Sequence, residues 1–338
     1  MVNHGPSENQ LRQIGANRFE SRNFNNQNGQ ETGNGNEEKN DDQIVEIEVL
    51  YPQPNQIFTP SYNIPPTRLA IIIYQKPQQP LDPNKSTKYF IESLTFGLVP
   101  SWAKPTDTRP VLSNGRWGAP YTRELQRYQG RQFNCRKESL GGKDALPTWK
   151  AHKSKFRCVV PIKGYFEWHK TTATHIDKTP YFVYSRESPI IYLAGLYSHN
   201  YHYHIDKNDE YFSSFAIVTG PARVNDLGDL SWLHARKPIM LTPGTKEWFD
   251  WLDPNNEWDD EMLDTILNTE NNQAYSLIVA HTVGRKVGQT KSEGEDLIKK
   301  ITLSPQKSIT LFFQRSPKKE MKQETTIEFK KELKNEPK

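Results

Sequence analysis

With only two cysteines in 338 residues, Cys135 and Cys158, the chain has no disulfide framework to lean on. No apolar run approaches membrane-spanning length, and the opening MVNHGPSENQ lacks the apolar stretch that a secretory signal needs. A reduced, intracellular chain with no membrane partner is therefore expected. Phosphate loop, dinucleotide fingerprint and internal repeat are all missing, which sets aside the common nucleotide-cofactor folds and solenoids. An excess of one charge is missing too. The net +4 permits contact with nucleic acid without demanding it.

The hydrophobic fraction is 34% and the mean hydropathy −0.83, low for one globule of this length. Residues 1–44 hold ten asparagines, with seven acidic side chains against four basic ones, and cannot bury enough apolar surface to offset chain entropy. They read as a disordered arm. From Leu303 the chain turns Lys/Glu-rich, nine basic against five acidic side chains, and loses hydrophobic periodicity again. The predicted folded body spans 45–302, long enough for one large domain with a continuous core.

Within the body, β-branched and aromatic runs recur at 68–76, 90–99, 156–162, 180–186, 190–198, 213–220 and 274–283, each of strand length. Helical pattern is confined to TKEWFDWL, after the Pro243-Gly244 break, and to DDEMLDTILN from Asp259. Strands and helices do not alternate. The expectation is an α+β fold with a curved, mainly antiparallel sheet system and a few flanking helices.

Four stretches could carry chemistry. In GYFEWHK, alternation aims Glu167 away from Phe166 and Trp168 at the end of an apolar strand; a carboxyl in such a wall can shuttle protons, and the alternative is a strand-end glutamate facing water. In DLSWLHARKP, His234 sits beside Arg236 and Lys237 before a proline, where a neutral imidazole suits proton transfer and Arg236 can fork onto a phosphate; an ordinary basic surface loop is the alternative. In RQFNCRKESL, Asn134 and Arg136 share one strand face and Cys135 takes the other, so an amide and a guanidinium could orient a reacting group or simply pair with backbone. Trp102, after Gly97 and Pro100, is either exposed for base stacking or folded back as an anchor. The HNYHYH stretch, His199 to His204, lacks zinc-ligand spacing and reads as a solvated loop.

Taken in order, PSYNIPPT, FGLVPSW, FNCRKES, GYFEW, LAGLY, FAIVTG, LHARKP and VAHTVG resemble the SRAP family, the SOS response-associated peptidase domain proteins, also called abasic site processing proteins. The resemblance covers nearly all of the body. It implies binding of abasic sites in single-stranded DNA and their capture, by a terminal cysteine, as a thiazolidine crosslink in the DNA damage response at replication forks. It makes Glu167 the proton shuttle, His234 its acid-base companion and Asn134 the amide that orients the cysteine. Arg136 and Arg236 would hold phosphates, Trp102 and Trp168 would shape the strand's path, and Asn63 joins the DNA-binding set. No metal and no cofactor is implied.

The chain departs from the family pattern where the nucleophile belongs. In GANRFE, Ala16 stands at the cysteine position. Two readings follow: the true start supplies the cysteine, or the protein is a pseudoenzyme that binds damaged DNA without crosslinking. Phe96 replaces a usual tryptophan and Lys237 a usual methionine. A thiol hydrolase using Cys135 is a third, weaker reading.

In the tail, QKSITLFF at 306–313 has the spacing of a PCNA-interacting peptide, with Ile309, Phe312 and Phe313 on one face of a 3₁₀ turn and Gln306 beside them. A last strand packed on the body is the alternative. MKQE, FKKE and LKNE resemble sumoylation sites at Lys322, Lys330 and Lys334. Clamp docking, a nuclear location and a monomeric state are the corresponding expectations.

Overall fold

The computed structural model describes residues 45–50, 58–76, 87–106, 111–113, 116–118, 122–142, 145–170, 178–204 and 211–302. The Asn-rich arm with Ala16 and the tail with Gln306, Ile309, Phe312 and Phe313 lie outside them.

Among the described residues the strands are β1 (Val45–Leu50), β2 (Leu69–Tyr74), β3 (Thr87–Phe96), β4 (Val111–Ser113), β5 (Arg116–Gly118), β6 (Asn134–Arg136), β7 (Arg157–Ile162), β8 (Gly164–Lys170), β9 (Lys178–Ser185), β10 (Ile191–Asn200), β11 (Phe212–Pro221), β12 (Arg236–Pro238) and β13 (Ile278–Thr282). The helices are α1 (Thr122–Gln129), α2 (Pro147–Lys153), α3 (Lys246–Leu252) and α4 (Met262–Thr265). The large sheet runs β1-β3-β2-β7-β10-β11-β12, with β6 added alongside β11. Most pairings are antiparallel; β1–β3, β11–β6 and β11–β3 are parallel. The last of these, Ser214↔Thr95 and Phe215↔Phe96, joins β11 back to β3 and closes five strands into a ring of hydrogen-bonded neighbours. The sheet curls because its two flanks must meet.

Alternation then divides the apolar residues between two layers. On one face, Ile72, Tyr74, Leu94, Phe96, Val160, Leu193, Tyr197, Phe215 and Ile217 form a cluster with Tyr165, Val183 and Ile278 of the smaller sheet β13-β9-β8. On the other, Ile71, Ile73, Val159, Ala194, Leu196, Ala216 and Val218 meet Trp149 of α2 and Trp248, Trp251 and Leu252 of α3. Helix α3 starts where the turn after Pro243-Gly244 ends, and the Thr245 side chain caps it by accepting from Trp248 N at 3.3 Å. Its Trp251 Nε1 donates to the Cys158 carbonyl at 2.8 Å, pinning the helix to β7.

Two local features differ from the sequence expectation. The helix from Asp259 shrinks to the single turn α4, because Glu261 at its start makes no side-chain cap and Ile266 and Leu267 leave it to enter the core. His199 is no loop residue: it ends β10 and its Nε2 lies 3.2 Å from the buried Glu92 carboxylate. That carboxylate also accepts from Tyr74 Oη at 2.6 Å and Ser213 Oγ at 3.3 Å. Gly97 adopts φ +104°, and a Cβ there would run into the Gln129 backbone, so the turn after β3 tolerates only glycine. This turn carries Trp102, whose indole is 54% exposed.

Candidate active site

Strand β8 leaves the apolar layer partway along its length. Tyr165 is buried between the sheets, and Glu167, on the same face two residues later, is half-buried at the rim. Phe166 and Trp168 turn to the opposite face, where Phe166 packs with Phe182, Val283, Val287 and Leu297, and Trp168 lies partly buried against them. The alternation read from GYFEWHK is thus present. Glu167 Oε1 accepts from Trp168 N at 3.0 Å, which fixes one carboxylate oxygen and leaves Oε2 turned towards His234.

His234 lies in the 222–235 loop that β12 follows. The loop closes on itself through Ala222 N to Ala235 O at 3.0 Å, and Asp226 bonds Arg223 N at 2.8 Å. Beneath it the buried Lys237 ammonium lies 3.0 Å from the buried Asp226 carboxylate and 4.1 Å from the Tyr275 ring centroid. Burial pulls the Lys237 pKa down, and Asp226 works against that shift. The usual methionine is therefore replaced here by a cation with its own counter-charge.

His234 Nδ1 is 3.1 Å from the Arg236 carbonyl and 3.2 Å from Arg236 N, so backbone holds this nitrogen in either tautomer. Glu167 Oε2 stands 4.0 Å from Nδ1, with side-chain exposures of 40% for the imidazole and 26% for the carboxylate. The gap is an ion-pair distance and exceeds a hydrogen bond; both groups are open to a ligand between them. Burial first, and then the nearby Glu167 charge, push the Tyr165 phenol up, so the hydroxyl under Glu167 stays neutral.

Arg236 continues the chain of contacts, but not towards phosphate. Its guanidinium forks onto Glu138, with 3.2 and 2.9 Å contacts, and also donates to Thr219 O at 2.7 Å. Burial opposes ionisation of Glu138, yet the Arg236 fork outweighs it and holds the carboxyl below its usual range. Glu138, absent from the sequence-based site, thus clamps the His234 segment to the segment of β6. Its partner was hidden because nothing in KES at 137–139 signals a contact about a hundred residues away.

On β6, Asn134 pairs with Ile217 and Arg136 with Thr219, so both belong to the sheet face against which Tyr165 packs. Arg136 is exposed. A cleft of about 230 Å³ opens beside Arg131, Gln132, Asn134 and Arg136. The Asn134 Oδ1 and Gln132 Oε1 atoms are buried without a hydrogen-bond partner among the described residues. Two orphaned acceptors fit a donor-bearing ligand, since leaving each unpaired costs on the order of 1–3 kcal/mol. Glu167 and His234 stand 4.0 Å apart; Asn134 lies on β6, and the turn that follows β6 is joined to the His234 segment by the Arg236–Glu138 fork.

The remaining sequence candidates separate. Asn63 is 5% exposed and its amide donates to Val287 O and Gln289 O at 3.3 and 3.0 Å, so it braces the fold where the sequence suggested DNA contact. Cys135 is fully buried on the opposite face of β6, and burial pushes its thiol up, as it does for Cys158. Neither thiol has the exposed, low-pKa character of a nucleophile.

The fold is thus a two-sheet α+β architecture with a carboxylate and an imidazole at its rim and a separate cleft lined by the unpaired amide oxygens of Gln132 and Asn134. The chain belongs to the SRAP family: the model of the SOS response associated peptidase matches residues 36–290. It is 32% identical over 244 residues to an abasic site processing protein of Saccharomyces cerevisiae, covering 72% of this chain and 53% of that protein. The abasic site processing protein HMCES of Pongo abelii is 24% identical over 299 residues, covering 78% of this chain and 74% of the relative. For YedK of Escherichia coli, another abasic site processing protein, the figures are 29% over 153 residues, 43% and 58%. The chain thus spans about half of the yeast relative's length.

Proposed function

We propose that the protein binds abasic sites in single-stranded DNA and, when a cysteine stands at its terminus, shields them as a covalent adduct. The terminal amine condenses with the ring-opened aldehyde, releasing water; the thiol then adds across the C=N bond and closes a thiazolidine. In this reading Glu167 carries the protons between amine, carbinol oxygen and leaving water, and His234 serves as its partner. The orphaned Asn134 oxygen accepts from the amine and aims it. The observation that carries the reading is the Glu167–His234 pair at 4.0 Å, open to a ligand, within a family whose named relatives process abasic sites. A nuclear location and clamp docking through Gln306, Ile309, Phe312 and Phe313 belong to the same proposal.

The test is an incubation with abasic single-stranded DNA followed by denaturing electrophoresis, comparing this start with one that restores a terminal cysteine. A heat-resistant adduct is expected from the restored form, and Glu167→Gln should slow its formation about 10²–10⁴-fold while DNA binding persists. No adduct from the restored form would sink the crosslinking reading. A second reading, a DNA-damage-binding protein without chemistry, is favoured by Ala16 at the cysteine position. It predicts tight abasic-DNA binding, no adduct from any start, and indifference to Glu167→Gln.

A further inference from the structure

We propose that Trp232, backed by Tyr181 and His169, is a stacking platform for one intact base neighbouring the abasic residue. The inference rests on the abasic-DNA reading above and adds a subsite to it. Trp232 stands two positions before His234, and its side chain remains 46% exposed. Its ring packs edge-to-face with Tyr181, centroids 5.1 Å apart at 79°, and lies 5.8 Å from His169 at 48°. Tyr181 is the residue of β9 directly opposite Glu167, and His169 follows Glu167 on the same face of β8. Three rings therefore flank the acid-base pair on its open side. His169 Nδ1 is buried without a partner among the described residues, an orphaned polar atom beside these rings.

Lys170 and Lys178 are exposed and stand directly opposite each other at the end of the β8–β9 ladder, but alternation turns them to the face opposite Glu167 and His169, so the platform rests on the rings alone. Unpaired DNA offers a free base face to such a platform. Duplex bases are already stacked and have no face to give.

The experiment measures binding of the full chain to three single-stranded oligonucleotides by fluorescence polarisation. Each carries one stable abasic analogue: the first between normal bases, the second with the 5′ neighbour also baseless, the third with the 3′ neighbour baseless. The wild type should bind one of the doubly baseless strands about tenfold more weakly than the first. Trp232→Ala should bind the first strand about tenfold more weakly and lose that discrimination, whereas Trp232→Phe should keep most of it. Equal wild-type binding to all three strands, or discrimination retained by Trp232→Ala, overturns the platform and leaves the abasic-site reading standing. Absence of single-stranded DNA binding by the wild type overturns both, and equal affinity for duplex assigns the surface to another partner.

Discussion

Glu167 and Glu92 show how differently two carboxylates are used, one half-buried and one wholly buried. Glu167 has one oxygen on a backbone amide and the other 4.0 Å from an imidazole, reachable from solvent. Glu92 has no exposed side-chain surface and three hydrogen-bond partners, His199, Tyr74 and Ser213. Burial raises the Glu92 pKa, but the combined contacts of His199, Tyr74 and Ser213 prevail and hold it below the usual glutamate range. A carboxyl whose folded pKa is lowered adds stability above its unfolded pKa, about 4.3, and loses that contribution as pH falls through the folded value. Thermal melts of the wild type should therefore drop on acidification below about pH 4.3, and Glu92→Gln should remove that part of the slope while costing about 2 kcal/mol near neutrality. Unchanged acid sensitivity in the variant would rule out this account. The rim position of Glu167 was legible in its alternation with Phe166 and Trp168; the Arg236–Glu138 fork and the Glu92 network were not, because each joins residues far apart in sequence that only the tertiary fold brings together.

At the level of elements, the 222–235 loop positions His234 by close approach rather than by regular structure. Gly228 adopts φ +61°, and a Cβ on it would strike the Tyr275 carbonyl. Gly228→Ala should cost about 2 kcal/mol, a fall in Tm of about 4–8 °C, and should slow adduct formation by the cysteine-restored form. An unchanged melting temperature would show that the loop yields. Strand β7 holds a second such joint in Arg157, 2% exposed and, among the described residues, with no acidic side chain bonded to it. It donates instead to the carbonyls of Trp251, Lys153, Ser154, Asn256 and Asp253, tying the ends of α2 and α3 together. Burial lowers its pKa to about 10, still far above neutrality. Arg157→Lys keeps the charge but cannot reach five acceptors, and calorimetry should find a loss of about 3 kcal/mol. Seven of the nine longer strands, and α3, followed directly from apolar runs and the Pro243-Gly244 break. The three-residue strands β4, β5 and β12 did not, since segments so short have no period to detect, and β6 showed only in the alternation of Asn134, Cys135 and Arg136.

At the scale of the molecule, the α+β class and the mainly antiparallel sheet were readable because β-rich runs outnumber helical ones throughout the body. Parallel pairing of β3 with β11 was not, since it depends on which flanks meet once the sheet curls. The two layers differ: the helical layer against Trp149, Trp248 and Trp251 is closed, and the layer between the sheets opens at its rim to the Glu167–His234 pair.

The ring seam between Thr95 and Ser214 sets a timetable for biogenesis. A ribosome must release about 120 further residues after β3 before its partner strand exists, so the nascent half-ring waits with an uncovered flank. Chaperone demand during synthesis should thus peak before β11 emerges and fall once it docks.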